Sequence, residues 1–149
     1  MILLEFNDAE QENDSRVMLK AFFPEAKIVT SIPENADEAP ELFVQVRVIR
    51  QEMAGLDNAD CDRLIRIYFH RDSTDRWDEY EDEAQQMASG KKEARNVFKR
   101  MMYGMLKKLT GRELPWGTLT GVRPTKIVYT LLEDGKNDHE IRDYLKKEY

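Results

Sequence analysis

ELFVQVRVIRQE, residues 41–52, alternates apolar and polar side chains with the period of two that a half-buried β-strand shows. CDRLIRIYFHR, residues 61–71, alternates in the same way, and the turn-rich MAGLDNAD joins the two stretches. Together they predict an antiparallel β-hairpin with one face in the core and one face in water. The inward set is Leu42, Val44, Val46, Val48, Ile65, Ile67 and Phe69, and the outward set is Gln45, Arg47, Gln51, Arg66, Tyr68 and His70.

The chain on either side of this hairpin supplies the remaining elements. Residues 2–6 predict a short strand, 9–22 a helix capped by Asn7 or Asp8, and KIVTSI (27–32) a second strand. Residues from about 80 to 110 predict one long helix, with an interruption near 89–90 left open. Its apolar stripe is typical of a helix that packs on the core, and clustered methionines also fit a binding groove. The residues of the stripe are Val97, Phe98, Met101, Met102, Met105, Leu106 and Leu109.

These elements predict an α+β fold, in which a small antiparallel sheet of β-α-β-β-β-α order is covered by the long helix. Two short C-terminal helices follow: one begins at Pro124 and ends at Gly135, and the next is capped by Asn137 or Asp138, with Ile141, Tyr144 and Leu145 inward. We therefore divide the chain into an α+β domain, residues 1–110, and a helical segment, residues 111–149, which would lead into a further domain.

Charge is distributed unevenly along the chain. Residues 1–90 carry 9 Lys and Arg against 21 Asp and Glu, whereas residues 91–149 carry 14 against 8. The basic half could face an anionic partner, but we expect instead attraction between the two halves or a solvated helix surface, because charge runs usually face water. A single cysteine, Cys61, excludes an internal disulfide framework and predicts a reducing cytoplasm, and no apolar run predicts a membrane span.

The stretch LPWGTLTGVRPTKIVY, residues 114–129, carries the candidate site. Free N–H groups and the dipole at a helix start favour anions, so this stretch could grip a carboxylate or phosphate. It could equally be a stabilised helix entrance, and both interpretations stay open. The candidate anion-binding or interdomain residues are Thr120, Gly121, Arg123, Thr125 and Lys126, and Trp116 is the candidate structural anchor.

Groups suited to catalysis are few. His70 and His139 fall in different predicted elements, and Cys61 lacks a neighbouring cysteine or histidine at metal-ligand spacing. No glycine-rich phosphate-binding motif occurs in the sequence. We therefore predict no catalytic residue, no metal site and no cofactor within this chain.

LPWGTLTGVRPTKIVYTLLEDGKNDHEIRDYLKKEY, residues 114–149, resembles the segment that precedes the catalytic domain in HemZ-type proteins. These are oxygen-independent coproporphyrinogen III oxidase-like enzymes of the radical S-adenosylmethionine superfamily. The resemblance runs through P-W-G, T-G-V-R-P-T-K, D-G and IRDYLKKEY; residues 1–113 are compatible with it as a variable α+β region.

The resemblance implies a parent oxidoreductase (coproporphyrinogen dehydrogenase) of haem and porphyrin biosynthesis, with a [4Fe–4S] cluster and S-adenosylmethionine. The cluster motif, C-x-x-x-C-x-x-C, is absent here, so the resemblance places the cluster ligands beyond residue 149. The expected partners are the chain's own downstream catalytic domain and a tetracarboxylate porphyrinogen. A stand-alone module for nucleic acid, using Arg47, Arg66, Tyr68 and His70, is an alternative that we expect less, as are a protein-binding module and a dimerisation domain.

Overall fold

The computed structural model describes residues 1–51, 61–72, 79–115 and 124–148. The strands are β1 (Ile2–Phe6), β2 (Ile28–Val29), β3 (Leu42–Gln51), β4 (Asp62–Arg71) and β5 (Tyr80–Ser89). The α-helices are α1 (Glu12–Phe22), α2 (Gly90–Thr110), α3 (Pro124–Glu133) and α4 (Asp138–Glu148), and a 3-10 turn, Ala9–Gln11, precedes α1. The α+β class and the two C-terminal helices are thus confirmed.

The five strands form one mixed sheet in the order β2-β1-β3-β4-β5. β3, β4 and β5 are antiparallel, and Val46 lies opposite Ile67 in the predicted hairpin. β1, however, is parallel to both of its neighbours, β2 and β3. The wholly antiparallel sheet was therefore wrong in this detail. Helix α1 returns the chain so that β2 runs parallel to β1, and residues 30–41 then carry the chain across to the other side of β1, where β3 is parallel to it as well.

The second correction concerns residues 80–89, which form strand β5 rather than the first turns of the long helix. Glu, Gln and Ala favour helices by intrinsic propensity, but pairing with β4 along the whole strand overrides that preference. The chain changes direction at Gly90, whose φ of 83° lies in the left-handed region. The long helix accordingly begins at Gly90.

One face of the sheet is covered by α1 and α2, and the core lies between these two layers. The apolar stripe of α2 is core, as predicted, with Phe98, Met102 and Leu106 almost fully buried. From α1 the core takes Met18, Leu19 and Phe22, whereas Val17 and Ala21 are half-buried. All seven predicted inward residues of the hairpin are buried.

The ends of the helices follow the sequence signals. α2 ends at Gly111 with φ 69°, and α3 is followed by Gly135 with φ 81°. The side chain of Asn137 caps α4: its Oδ1 accepts from the Glu140 N–H at 2.8 Å, and its Nδ2 donates to Glu140 Oε1 at 3.1 Å. The division of the chain near residue 110 stays a prediction.

No helix in the described ranges is both long and apolar enough to span a bilayer.

Candidate functional site

The candidate anion-gripping residues fall largely outside the described ranges. Trp116, Thr120, Gly121 and Arg123 are among the residues that the structure does not describe. Thr125 and Lys126 lie in the first turn of α3, without described side chains. The proposed role of these residues therefore remains a prediction.

The segment that leads into this stretch, residues 111–115, is described and is attached to the helical layer. Arg112 Nη1 donates to the carbonyl of Phe22 at 3.0 Å, and the Leu114 N–H donates to Tyr103 Oη at 3.2 Å. The Tyr103 ring packs against Phe22 with centroids 5.6 Å apart. Residues 111–115 thus leave the core from a fixed point between α1 and α2.

An ion pair strengthens the same attachment. Glu113 and Lys107 pair across the last turn of α2. Hydrogen bonding and charge attraction hold the pKa of Lys107 above its ordinary value and the pKa of Glu113 below its ordinary value. Both side chains are exposed, so water and salt screen the pair, and its part is in orienting the segment.

A cavity of about 310 Å³, which we call the sheet-end pocket, lies where α1, α2 and the first residues of β1 and β3 meet. A wider and shallower depression of about 870 Å³ adjoins it and shares Phe22, Phe23, Glu41 and Arg112 with it. The apolar walls of the pocket are Ile2, Phe22, Phe23, Leu42 and Leu109, and its charged groups are Glu41, Arg71 and Arg112. Sequence reasoning missed this pocket because its residues come from five separate segments.

The open face of the sheet brings together the side chains predicted for nucleic-acid binding. Arg47 lies directly opposite Arg66, and the rings of Tyr68 and His70 are parallel to within 4°, with centroids 6.4 Å apart. Arg47 Nη2 is 3.1 Å from Glu5 Oε1, and Arg66 Nε donates to Gln85 Oε1 at 3.1 Å. Burial and the neighbouring carboxylate of Glu81 raise the pKa of Tyr68 above its ordinary value.

The charge of this face does not suit a polyanion. The register places four carboxylates on it, those of Glu5, Asp62, Glu81 and Glu83, against the two guanidinium groups of Arg47 and Arg66. Nucleic acid is bound mainly through excess positive charge, and this face carries excess negative charge. The geometry therefore favours the nucleic-acid alternative less than the residue types alone suggested.

The remaining reactive groups are separate from one another. Cys61 is 3% exposed, and His70 Nε2 lies 2.8 Å from Asp72 Oδ1. His139 lies on α4, 3.4 Å from Asp143. Within the ranges that the structure describes, no group of three or more His, Cys, Asp or Glu side chains could hold a metal ion.

Part of the chain is similar to a curated protein, the oxygen-independent coproporphyrinogen-III oxidase-like protein HemZ of Bacillus subtilis (strain 168). The two are 34% identical over 58 residues, which is 39% of this chain and 12% of HemZ. No family model matches the chain, and no solved structure matches it. The likeness supports a HemZ-related region within this chain.

Proposed function

We propose that residues 1–149 are a non-catalytic N-terminal domain of an oxygen-independent coproporphyrinogen III oxidase-like enzyme, and that they support or dock onto its catalytic domain. The observation that carries this proposal is the 34% identity to HemZ over 58 residues. The matched stretch is a small part of HemZ, 12% of its length, so the parent's activity and substrate belong to the proposal.

The cofactors implied for the parent do not fit this chain's own residues. Iron–sulfur clusters are held mainly by several cysteine thiolates, whereas the sequence has one cysteine, which is buried beside the start of β4. In this proposal the cluster and S-adenosylmethionine belong to the catalytic domain. Residues 1–149 then contribute by binding the catalytic domain and holding it in position.

Helix α3 offers a surface for such docking. Tyr129 is 66% exposed and Leu132 is 50% exposed, and a spacing of three residues places both on one side of the helix. Contiguous exposed apolar side chains are a feature of protein–protein interaction surfaces. We propose that this side of α3 contacts the catalytic domain.

Hydrogen exchange tests the docking surface without any substitution. Amides of α3 from Tyr129 to Glu133 should exchange more slowly in the full-length parent than in residues 1–149 alone, because docking suppresses local opening. Amides in the exposed loop around Asn35 serve as the reference. Equal exchange rates in the two proteins would rule out docking through α3.

The proposed role of Arg123 has its own test. If Arg123 and Lys126 hold a propionate of the substrate or a carboxylate of the catalytic domain, Arg123→Ala in the parent should weaken substrate binding or activity. An effect on the melting temperature with unchanged substrate binding would indicate the interdomain contact. Unchanged kinetics together with unchanged melting would contradict both roles.

A further inference from the structure

We infer that the sheet-end pocket is a binding site for a small organic anion, a ligand with an apolar or aromatic body and one acidic group. This inference does not depend on the parentage proposed above. It rests on the pocket's volume, its walls and its charge.

The dimensions of the pocket suit a ligand of one or two rings. Its volume of about 310 Å³ is at the lower end of the range of about 300–1,000 Å³ typical of small-molecule sites. Phe22, Leu42 and Ile2 form the buried part of the wall, each less than 5% exposed, so their positions are fixed by the core. Phe23 and Leu109 are half-buried and complete an apolar lining.

The charged groups at the pocket favour an anion over a cation. Arg71 and Arg112 line it, and Glu41 is the carboxylate among its described lining residues. The Glu41 side chain is 68% exposed and lies 3.8 Å from the ammonium of Met1. The carboxylate of Glu41 is thus paired with the Met1 ammonium, and Arg112 places a guanidinium group beside the apolar wall.

Arg112 is placed to bind an acidic group. A guanidinium has five N–H donors in a planar fork that fits a carboxylate, and Arg112 uses Nη1 to hold the carbonyl of Phe22. That hydrogen bond fixes the side chain at the pocket's rim and orients its other donors. Arg71 is oriented by a different contact, with its Cζ 5.6 Å from the centre of the Tyr80 ring.

Fluorescence titration of residues 1–149 with anilinonaphthalene sulfonate, an aromatic anion, tests the site. The matched uncharged probe is N-phenylnaphthylamine, which has the same rings without the acidic group. We expect saturable binding at one site, with the anion bound at least about tenfold more tightly than the neutral probe, as expected for a charge-assisted contact. Arg112→Gln should reduce the affinity for the anion and leave that for the neutral probe nearly unchanged.

Three further variants distinguish binding in this pocket from attraction to positive charge elsewhere on the protein. Lys92→Gln removes an exposed positive charge elsewhere on α2, and Arg66→Gln removes one from the open sheet face; both should leave the affinity unchanged. Leu109→Trp should fill the pocket and abolish binding of both probes. Urea unfolding of each variant shows whether it is folded. Equal affinities for the two probes, binding that survives Leu109→Trp in a folded protein, or no saturable binding would overturn the inference.

Discussion

At the scale of single residues, Asn7 has a role that its sequence position did not reveal. It was predicted, with Asp8, to cap the first helix. Asp8 does cap the 3-10 turn, since its Oδ1 accepts from the Glu10 N–H. Asn7 instead joins β1 to β3: its Nδ2 donates to the Val48 carbonyl at 3.0 Å, and its Oδ1 accepts from the Val48 N–H at 2.8 Å. The side chain thereby continues the sheet beyond the end of β1.

Asn7→Ala should destabilise the fold by about 1–3 kcal/mol, because it leaves the N–H and the carbonyl of the buried Val48 without the Asn7 side chain as their partner. Urea unfolding measures the change in the free energy of unfolding. The control is Asn35→Ala in an exposed loop, which should change that free energy by less than about 0.5 kcal/mol. Equal changes in the two variants would contradict the role of Asn7.

Lys99 is the second residue whose environment makes a prediction. It lies on the buried side of α2 and is 8% exposed. Burial lowers the pKa of Lys99 from the ordinary 10.5. The nearby carboxylate of Asp14 opposes this lowering, and the guanidinium of Arg95 adds to it. The unfolded chain therefore binds more protons than the folded chain between the lowered value and 10.5. Over that range the contribution of Lys99 to stability rises with pH.

Lys99→Met should accordingly raise the free energy of unfolding near neutral pH, since it removes the cost of burying a charge. The gain should shrink as the pH approaches 10.5, where the unfolded lysine also loses its proton. Lys92→Met, an exposed substitution on the same helix, controls for the general effect of removing a positive charge. A gain that grows with pH would contradict this account.

At the scale of elements, two glycines of α2 have opposite requirements. Gly90 joins β5 to α2 with φ 83°, a conformation that costs a residue with a Cβ about 1–2 kcal/mol. Gly104 is exposed within the helix, and a Cβ built there meets no atom within 4 Å. We expect Gly90→Ala to destabilise the protein by about 1–2 kcal/mol and Gly104→Ala to stabilise it by about 0.5–1 kcal/mol.

Thermal or urea unfolding of the two variants checks this pair, each serving as the control for the other. A stabilising Gly90→Ala would mean that β5 and α2 form one continuous helix, as the sequence suggested. The sequence suggested it because Glu81, Glu83, Ala84 and Gln85 all favour helices. What makes this segment a strand is its pairing with β4, which local propensity cannot report.

The long, strongly periodic elements were predictable because their signal is local. Alternation over residues 42–48 and 65–69 gave the hairpin and its inward face, and the stripe from Val97 to Leu109 gave the covering helix. Parallel pairing of β1 with β2 and β3 was missed, since it depends on how α1 and residues 30–41 return the chain to the sheet. The sheet-end pocket was missed because its lining residues come from five separate segments.

At the scale of the whole molecule, the described fold and the candidate residues of 116–126 make different contributions to the proposal. The core places residues 111–115 at a fixed point on the helical layer, through Arg112, Glu113 and Leu114. The candidate residues that follow, Arg123 among them, lie largely outside the described ranges, so their chemistry rests on sequence. A supporting N-terminal domain needs such a fixed connection to the domain that follows it.

If the parent acts on coproporphyrinogen III as proposed, it should oxidatively decarboxylate this compound when given a loaded cluster, S-adenosylmethionine, a one-electron reductant for the cluster and an electron acceptor for the product. Lack of this activity in a protein with a loaded cluster would contradict the substrate proposed for it. The docking role of residues 1–149 is tested separately by the exchange of the α3 amides.

The measurement that tests the central claim most directly is the coding sequence that follows the codon for Tyr149. A domain that precedes a radical S-adenosylmethionine enzyme must be followed by the three cysteines that hold the cluster. We predict a C-x-x-x-C-x-x-C motif within the next few tens of codons. A stop codon directly after Tyr149, or a downstream domain without that motif, would contradict the account.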